Sequence, residues 1–123
     1  MKRFEELRVW QNARTLVKEI YNLNAHCKDF GFRDQIQRAV VSIMNNIAEG
    51  SESGTDAMFV RYLYIAKGSC GEVRSMIYLG NDLGYYPNEV IAQLISDTVN
   101  ISSSLQKLIE YLKQSNSKAK QCI

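Results

Sequence analysis

Apolar side chains recur along this chain at steps of three and four, with no sustained alternation, and that spacing predicts helices throughout. The first segment runs from about residue 5 to 25, with Trp10, Ala13, Val17, Ile20, Tyr21 and Asn24 on one face. Val9, Leu16 and Leu23 form a further apolar line beside it. "DFGF", Asp29 to Phe32, reads as a connection. The second helix is expected from about Arg33 to Glu49, with Ile36, Val40, Ile43 and Ile47 inward and Gly50 as a left-handed stop. Ser51 to Thr55 is a turn, and Thr55 or Asp56 can cap the next helix. That third helix spans about Asp56 to Leu83, with a core line of Phe59, Tyr62 or Leu63, Ala66, Cys70, Val73 and Ile77, and Gly84 ends it. Pro87 suits the first turn of a fourth helix carrying Ile91, Leu94, Ile95, Thr98, Leu105, Leu108, Ile109 and Leu112. Glu89 complements that helix's positive end.

Four amphipathic helices with short connections predict an all-α protein, an antiparallel up-down-up-down four-helix bundle. Residues 1–113 form one domain in this reading, and 114–123, "QSNSKAKQCI", a polar tail with frayed ends. The 123 residues suffice for a core without disulfides or metals.

Some helix faces carry more than one core requires. On the second helix Gln35, Ala39, Ser42 and Asn46 make a line of small or amide-bearing residues, while Arg38, Asn45 and Glu49 lie further toward solvent. The line is either the close approach of another subunit or a boundary row inside one bundle, with Asn46 bonded to nearby backbone. On the third helix Met58, Ile65, Ser69 and Met76 lie beside the core line. Together these eight residues are the candidates for a subunit interface. Gly68 and Gly71 sit mid-helix, where each costs up to about 1 kcal/mol against alanine, so close backbone contact or a kink is expected there.

Charge changes this picture little. The net charge is +2, mildly basic. Up to residue 44, eight basic residues face five acidic ones, a local net of +3. Arg14 and Lys18 are four apart on one side of the first helix, and Arg33, Arg38, Arg61, Lys67 and Arg74 are spread over the next two. These seven are the candidates for binding nucleic acid, because a ring of identical subunits would multiply a modest patch. A solvated charged face is the plainer alternative.

Catalytic chemistry is not marked. His26 is the only histidine, and Cys27 beside it points a different way on a helix. No metal-ligand spacing, catalytic triad or phosphate-binding glycine loop is present. Glu49, Glu52 and Asp56 fit a solvated turn and a cap. The expectation is therefore no enzyme and no cofactor. The three cysteines, Cys27, Cys70 and Cys122, have no paired spacing, which favours a reducing cytoplasm. No run of about 20 apolar residues and no hydrophobic leader are seen, so no membrane association is expected.

The strings "FEELRVWQNA", "FGFRDQIQRAVVSIMNNIAEGSES", "FVRYLYIAKGSCGEV" and "LGNDLGYY" resemble the family of 23S ribosomal-RNA intervening-sequence proteins, over about residues 4 to 112. The accessory variability proteins of diversity-generating retroelements share the pattern. The resemblance implies a four-helix bundle assembled as a homopentamer and no enzyme activity. From the retroelement relatives it implies binding of nucleic acid and of a reverse transcriptase through basic surfaces. The chain departs from the family pattern at Gln37, where a second basic residue is common, at Met44, where proline is common, and at Met58, where an acid is usual. The functional expectation is an oligomeric bundle that binds RNA or DNA, or else a protein-interaction scaffold without nucleic-acid affinity.

Overall fold

A computed structural model describes residues 3–121, with side chains described through Ser115. Cys122 and most of the polar tail expected at 114–123 thus lie outside the described side chains. A short 3-10 turn, Phe4–Glu6, precedes α1 (Arg8–Leu23), α2 (Phe30–Ser51), α3 (Asp56–Asp82) and α4 (Asn88–Gln121). The chain is all-α, with no strand among the described residues. Each helix packs on its sequence neighbours, and α4 closes back on α1 in an up-down-up-down bundle.

The core follows the predicted periodicity on three helices. Ile36, Val40, Ile43 and Ile47 of α2 and Leu63, Ala66, Val73 and Ile77 of α3 are fully buried. They face Leu94, Thr98, Leu105, Ile109 and Leu112 of α4, joined by Ile101, not expected there, while Ile91, Ile95 and Leu108 lie at the core's margin. Burying each such aliphatic side chain contributes roughly 1.5–3 kcal/mol before the entropy cost of ordering it. On α1 the inward face is rotated from the predicted one. Val9 and Leu16, expected beside the core, are in it, whereas Trp10 and Val17 lie at its margin and Tyr21 is exposed. The apolar arc of α1 is wide, and closure by α4 selects the half containing Leu16.

Two boundaries differ from expectation for identifiable reasons. α2 begins at Phe30, not Arg33, because the Asp29 side chain accepts the Phe32 N–H at 3.1 Å and caps the helix. Phe32, expected in a connection, is therefore core. Gly50 is not a left-handed stop. It lies within α2, and the positive-φ residues are Gly54 (95°) and Gly84 (74°). A Cβ at Gly50 would sit 2.8 Å from both Phe59 Cδ1 and Tyr62 Cβ, so this glycine permits α2 and α3 to approach.

Thr55 and Gly84 behave as expected, whereas Pro87, expected in the first turn of α4, lies one residue before it. Thr55 caps α3 by accepting the Met58 N–H. Gly84 closes α3 with two reversed bonds, Tyr85 N–H to the Gly80 carbonyl and Gly84 N–H to the Asn81 carbonyl. Pro87 stands just before α4, its carbonyl accepting the Val90 N–H.

Candidate functional site

The surface divides by helix face. α1 meets α4 along a groove lined by Asn12, Thr15, Glu19, Gln93, Asp97 and Asn100. Trp10, Arg14, Val17 and Tyr21 lie on the opposite flank of α1 and so border α2. On α2 the flank toward α3 is fixed by Ser42 Oγ, 2.9 Å from Ser69 Oγ, and by Gln35, whose amide donates to the Glu72 carboxylate. The opposite flank, with Arg33, Gln37 and Met44, therefore borders α1.

Along this α1–α2 seam basic and aromatic side chains alternate. The Arg14 guanidinium lies over the Trp10 ring at 5.6 Å, and Phe4 meets the other part of Trp10 edge-on at 5.2 Å. Tyr21 continues this flank two turns beyond Arg14, and Lys18 points outward beside it, both exposed. At the loop end, Arg33 lies over the Phe30 ring at 4.6 Å and pairs with Asp34 at 3.0 Å. Glu19 faces α4 instead.

By helical position Arg14 and Arg33 lie on the two flanks of the seam, Lys18 points outward one turn beyond Arg14, and the other basic candidates lie elsewhere. Arg38 and Arg61 are exposed on the outward faces of α2 and α3. Lys67 is half-buried on the α4 side, its ammonium donating to Gln106 Oε1 at 2.8 Å. Arg74 lies on the same side, near Cys70. Phe30 escapes a sequence reading that starts α2 at Arg33. The signal that could have found it is the acid Asp29 three residues before Phe32.

The interface candidates divide likewise. Ala39 is 4% exposed and belongs to the core. Asn46 donates to the Ser42 carbonyl at 2.8 Å and to its hydroxyl at 3.0 Å, so Asn46, Ser42 and Ser69 form one chain of bonds joining α2 to α3. Gln35 extends that polar row, and Met76 is half-buried against the core. Met58 and Ile65 are exposed, and Leu79 and Leu83 continue their line along the outward face of α3. At Gly68 and Gly71 an added Cβ would meet nothing within 4 Å, so the expected close contact is not made inside one chain.

No group capable of holding a metal is found among the described residues. His26 and Cys27 border an open cleft with Leu23, Lys28, Asp29 and Tyr85 at the α1–α2 connection. The Tyr85 hydroxyl donates to Asp29 at 2.7 Å, which with the Phe32 N–H holds the Asp29 carboxyl below its ordinary range. Burial pushes the Cys70 thiol up to about 12, leaving it a core side chain rather than a nucleophile. Glu49 is exposed and forms no ion pair with Arg38 among the described residues. No helix among the described residues is long and apolar enough to cross a membrane.

The model of the 23S rRNA-intervening sequence protein family matches residues 5–107, which takes in all of α1 to α3 and most of α4. The chain belongs to this family. A crystal structure of an S23 ribosomal protein family member from Bacteroides thetaiotaomicron, itself described as of unknown function, has the same fold. It superposes with a TM-score of 0.77 at 25% identity, covering 83% of this chain and 95% of that one. No curated protein matches the sequence. This chain and that family member thus share one fold.

Proposed function

We propose that this family member is a non-enzymatic, self-assembling four-helix bundle of the cytoplasm that binds RNA or DNA along its α1–α2 seam. The observation that carries the reading is the arrangement of Arg14 over Trp10, Lys18 one turn on, and Arg33 at the loop end. Arg14 and Arg33 on the seam, with Lys18 on the adjoining outward face, supply phosphate contacts in this reading, and a ring of subunits, five by the resemblance, repeats them around one assembly. The supporting feature for assembly is the exposed apolar line Met58, Ile65, Leu79 and Leu83 on α3. That same line favours the second reading, a scaffold that engages a protein partner and ignores nucleic acid.

Fluorescence anisotropy of labelled RNA at roughly 50 and 200 mM salt separates the two, since phosphate contacts weaken steeply over that range. Binding that falls with salt, and is lost in Arg14→Glu/Lys18→Glu protein of unchanged helicity, is the expected result. Absence of binding at the lower salt leaves the scaffold reading.

A further inference from the structure

We infer that the α1–α2 seam takes unpaired rather than duplex nucleic acid, reading it by base stacking as well as by charge; this rests on the nucleic-acid reading above. Cations alone would serve for a duplex, whose bases are already stacked inside and which offers a neighbouring surface mainly phosphates. The seam carries more than cations. Tyr21 is 45% exposed and Phe30 is 58% exposed, the latter with a guanidinium on one face of its ring. Neither hydroxyl nor ring edge of these two residues is engaged in a hydrogen bond or aromatic pair among the described contacts. Tyr21 is in the last full turn of α1 and Phe30 and Arg33 in the first turn of α2, so the short connection brings all three to one end of the seam. From there Lys18, Arg14 and Trp10 lead away along α1, over about 16 Å at helical rise.

Interleaved flat rings and cations are the recurring solution for single strands. Every base has a π-face, so stacking tolerates sequence, while a basic track follows the backbone. Flexible unpaired bases can turn out onto Tyr21 and Phe30; paired bases cannot without first being unstacked. Of the acids near that end of the seam, Asp29 caps α2 and accepts the Tyr85 hydroxyl. Glu19 faces the α4 groove, and Asp34 is held by Arg33.

The test compares one labelled, non-self-complementary strand of roughly 20 nucleotides, longer than the ~4–16 that a small single-strand module covers, with the same strand annealed to its complement. Wild type, Tyr21→Ala, Phe30→Ala and the charge-reversed Arg14→Glu/Lys18→Glu are titrated at one salt, with helicity checked by circular dichroism. The single strand is expected to bind at least about tenfold more tightly than the duplex, and each aromatic substitution to weaken it on the order of tenfold. Equal or tighter duplex binding, or aromatic variants with wild-type affinity for the strand, overturns the inference while nucleic-acid binding stands. Binding of neither probe overturns the nucleic-acid reading itself.

Discussion

The Tyr86 hydroxyl donates to Asn24 Oδ1 at 3.2 Å, and both residues are buried, at 4% and 0% exposure. The Asn24 amide also donates to the Ile20 carbonyl at 2.7 Å, so one side chain ends α1 and holds the α3–α4 turn onto it. Phe32 packs its ring against Tyr85 and Tyr86, completing that end of the bundle. Tyr86→Phe removes the donor and leaves a buried amide oxygen without one, which costs about 1–2 kcal/mol. Thermal melts should show the variant unfolding roughly 4–8 °C below wild type with its helical content intact. An unchanged melting temperature would mean that water replaces the hydroxyl and the bond does not hold this end.

The glycines of the long helices should separate into two signs. An alanine Cβ at Gly50 meets Phe59 and Tyr62 at 2.8 Å, and the Tyr62 atom is its own Cβ, which cannot swing aside. At Gly80 the new atom falls 2.6 Å from the ring of Tyr86, which the Asn24 bond pins. Gly50→Ala and Gly80→Ala should each destabilise by about 1–3 kcal/mol. At Gly71, away from the Ile65 line, the space is open, so Gly71→Ala should stabilise by up to about 1 kcal/mol through helix propensity. Urea midpoints compared at one protein concentration decide this, since assembly makes stability depend on concentration.

These cases show what was legible in the sequence. The helix number, order and core faces of α2 and α3 were, because period and caps are local signals; Thr55 and Gly84 behave as their types require. The role of Gly50 was not, because a glycine that ends a helix and one that admits a neighbouring helix look alike until Phe59 and Tyr62 are placed against it. The face of α1 was half legible. Trp10 and Leu16 are equally apolar, and only the position of α4 chooses between their flanks. Near the seam, Arg14 and Lys18 are grouped by spacing alone. Phe30 depended on recognising the Asp29 cap, and the meeting of α1 with α2 at that end depended on packing. The bond from Ser42 to Ser69 spans two helices and could be guessed only as a row of small residues.

Glu19 gives stability a pH dependence of its own. Partial burial in the α1–α4 groove, and then the Asp97 carboxylate opposite, raise its pKa above the ordinary glutamate value. A carboxyl whose pKa rises on folding binds its proton more tightly in the folded chain. Its ionisation therefore disfavours the fold at neutral pH, and that penalty is relieved as pH falls through the raised value toward the ordinary one. Glu19→Gln removes the charge at every pH, so it should stabilise at neutral pH and gain little below the ordinary glutamate value, about 4.3, where the carboxyl is protonated folded or unfolded. Melting temperatures taken across that interval check the sign. A variant less stable than wild type at neutral pH would show that the glutamate makes a favourable contact which outweighs its desolvation.

The outward face of α3 should govern assembly. Ile65 is 53% exposed, Leu79 46% and Leu83 50%, on a helix whose opposite face already fills the core. Apolar side chains in one line on a rigid helix lose little entropy when a second copy covers them, and Gly68 between them leaves room for a close approach. Glu72 interrupts the line, but its carboxylate is held back by Gln35. Ile65→Glu places a charge where the contact would be desolvated, which costs several kcal/mol per subunit pair unless it finds a partner. Light scattering at micromolar concentration should give a multiple of the 14.1 kDa chain for wild type and a smaller species for Ile65→Glu. Both proteins should have the same helical spectrum, because Ile65 contributes nothing to the core. A wild type that scatters as a monomer removes the assembly. An Ile65→Glu variant of unchanged mass moves the contact to another face, and the seam would then act through cations from whichever subunits that face brings together.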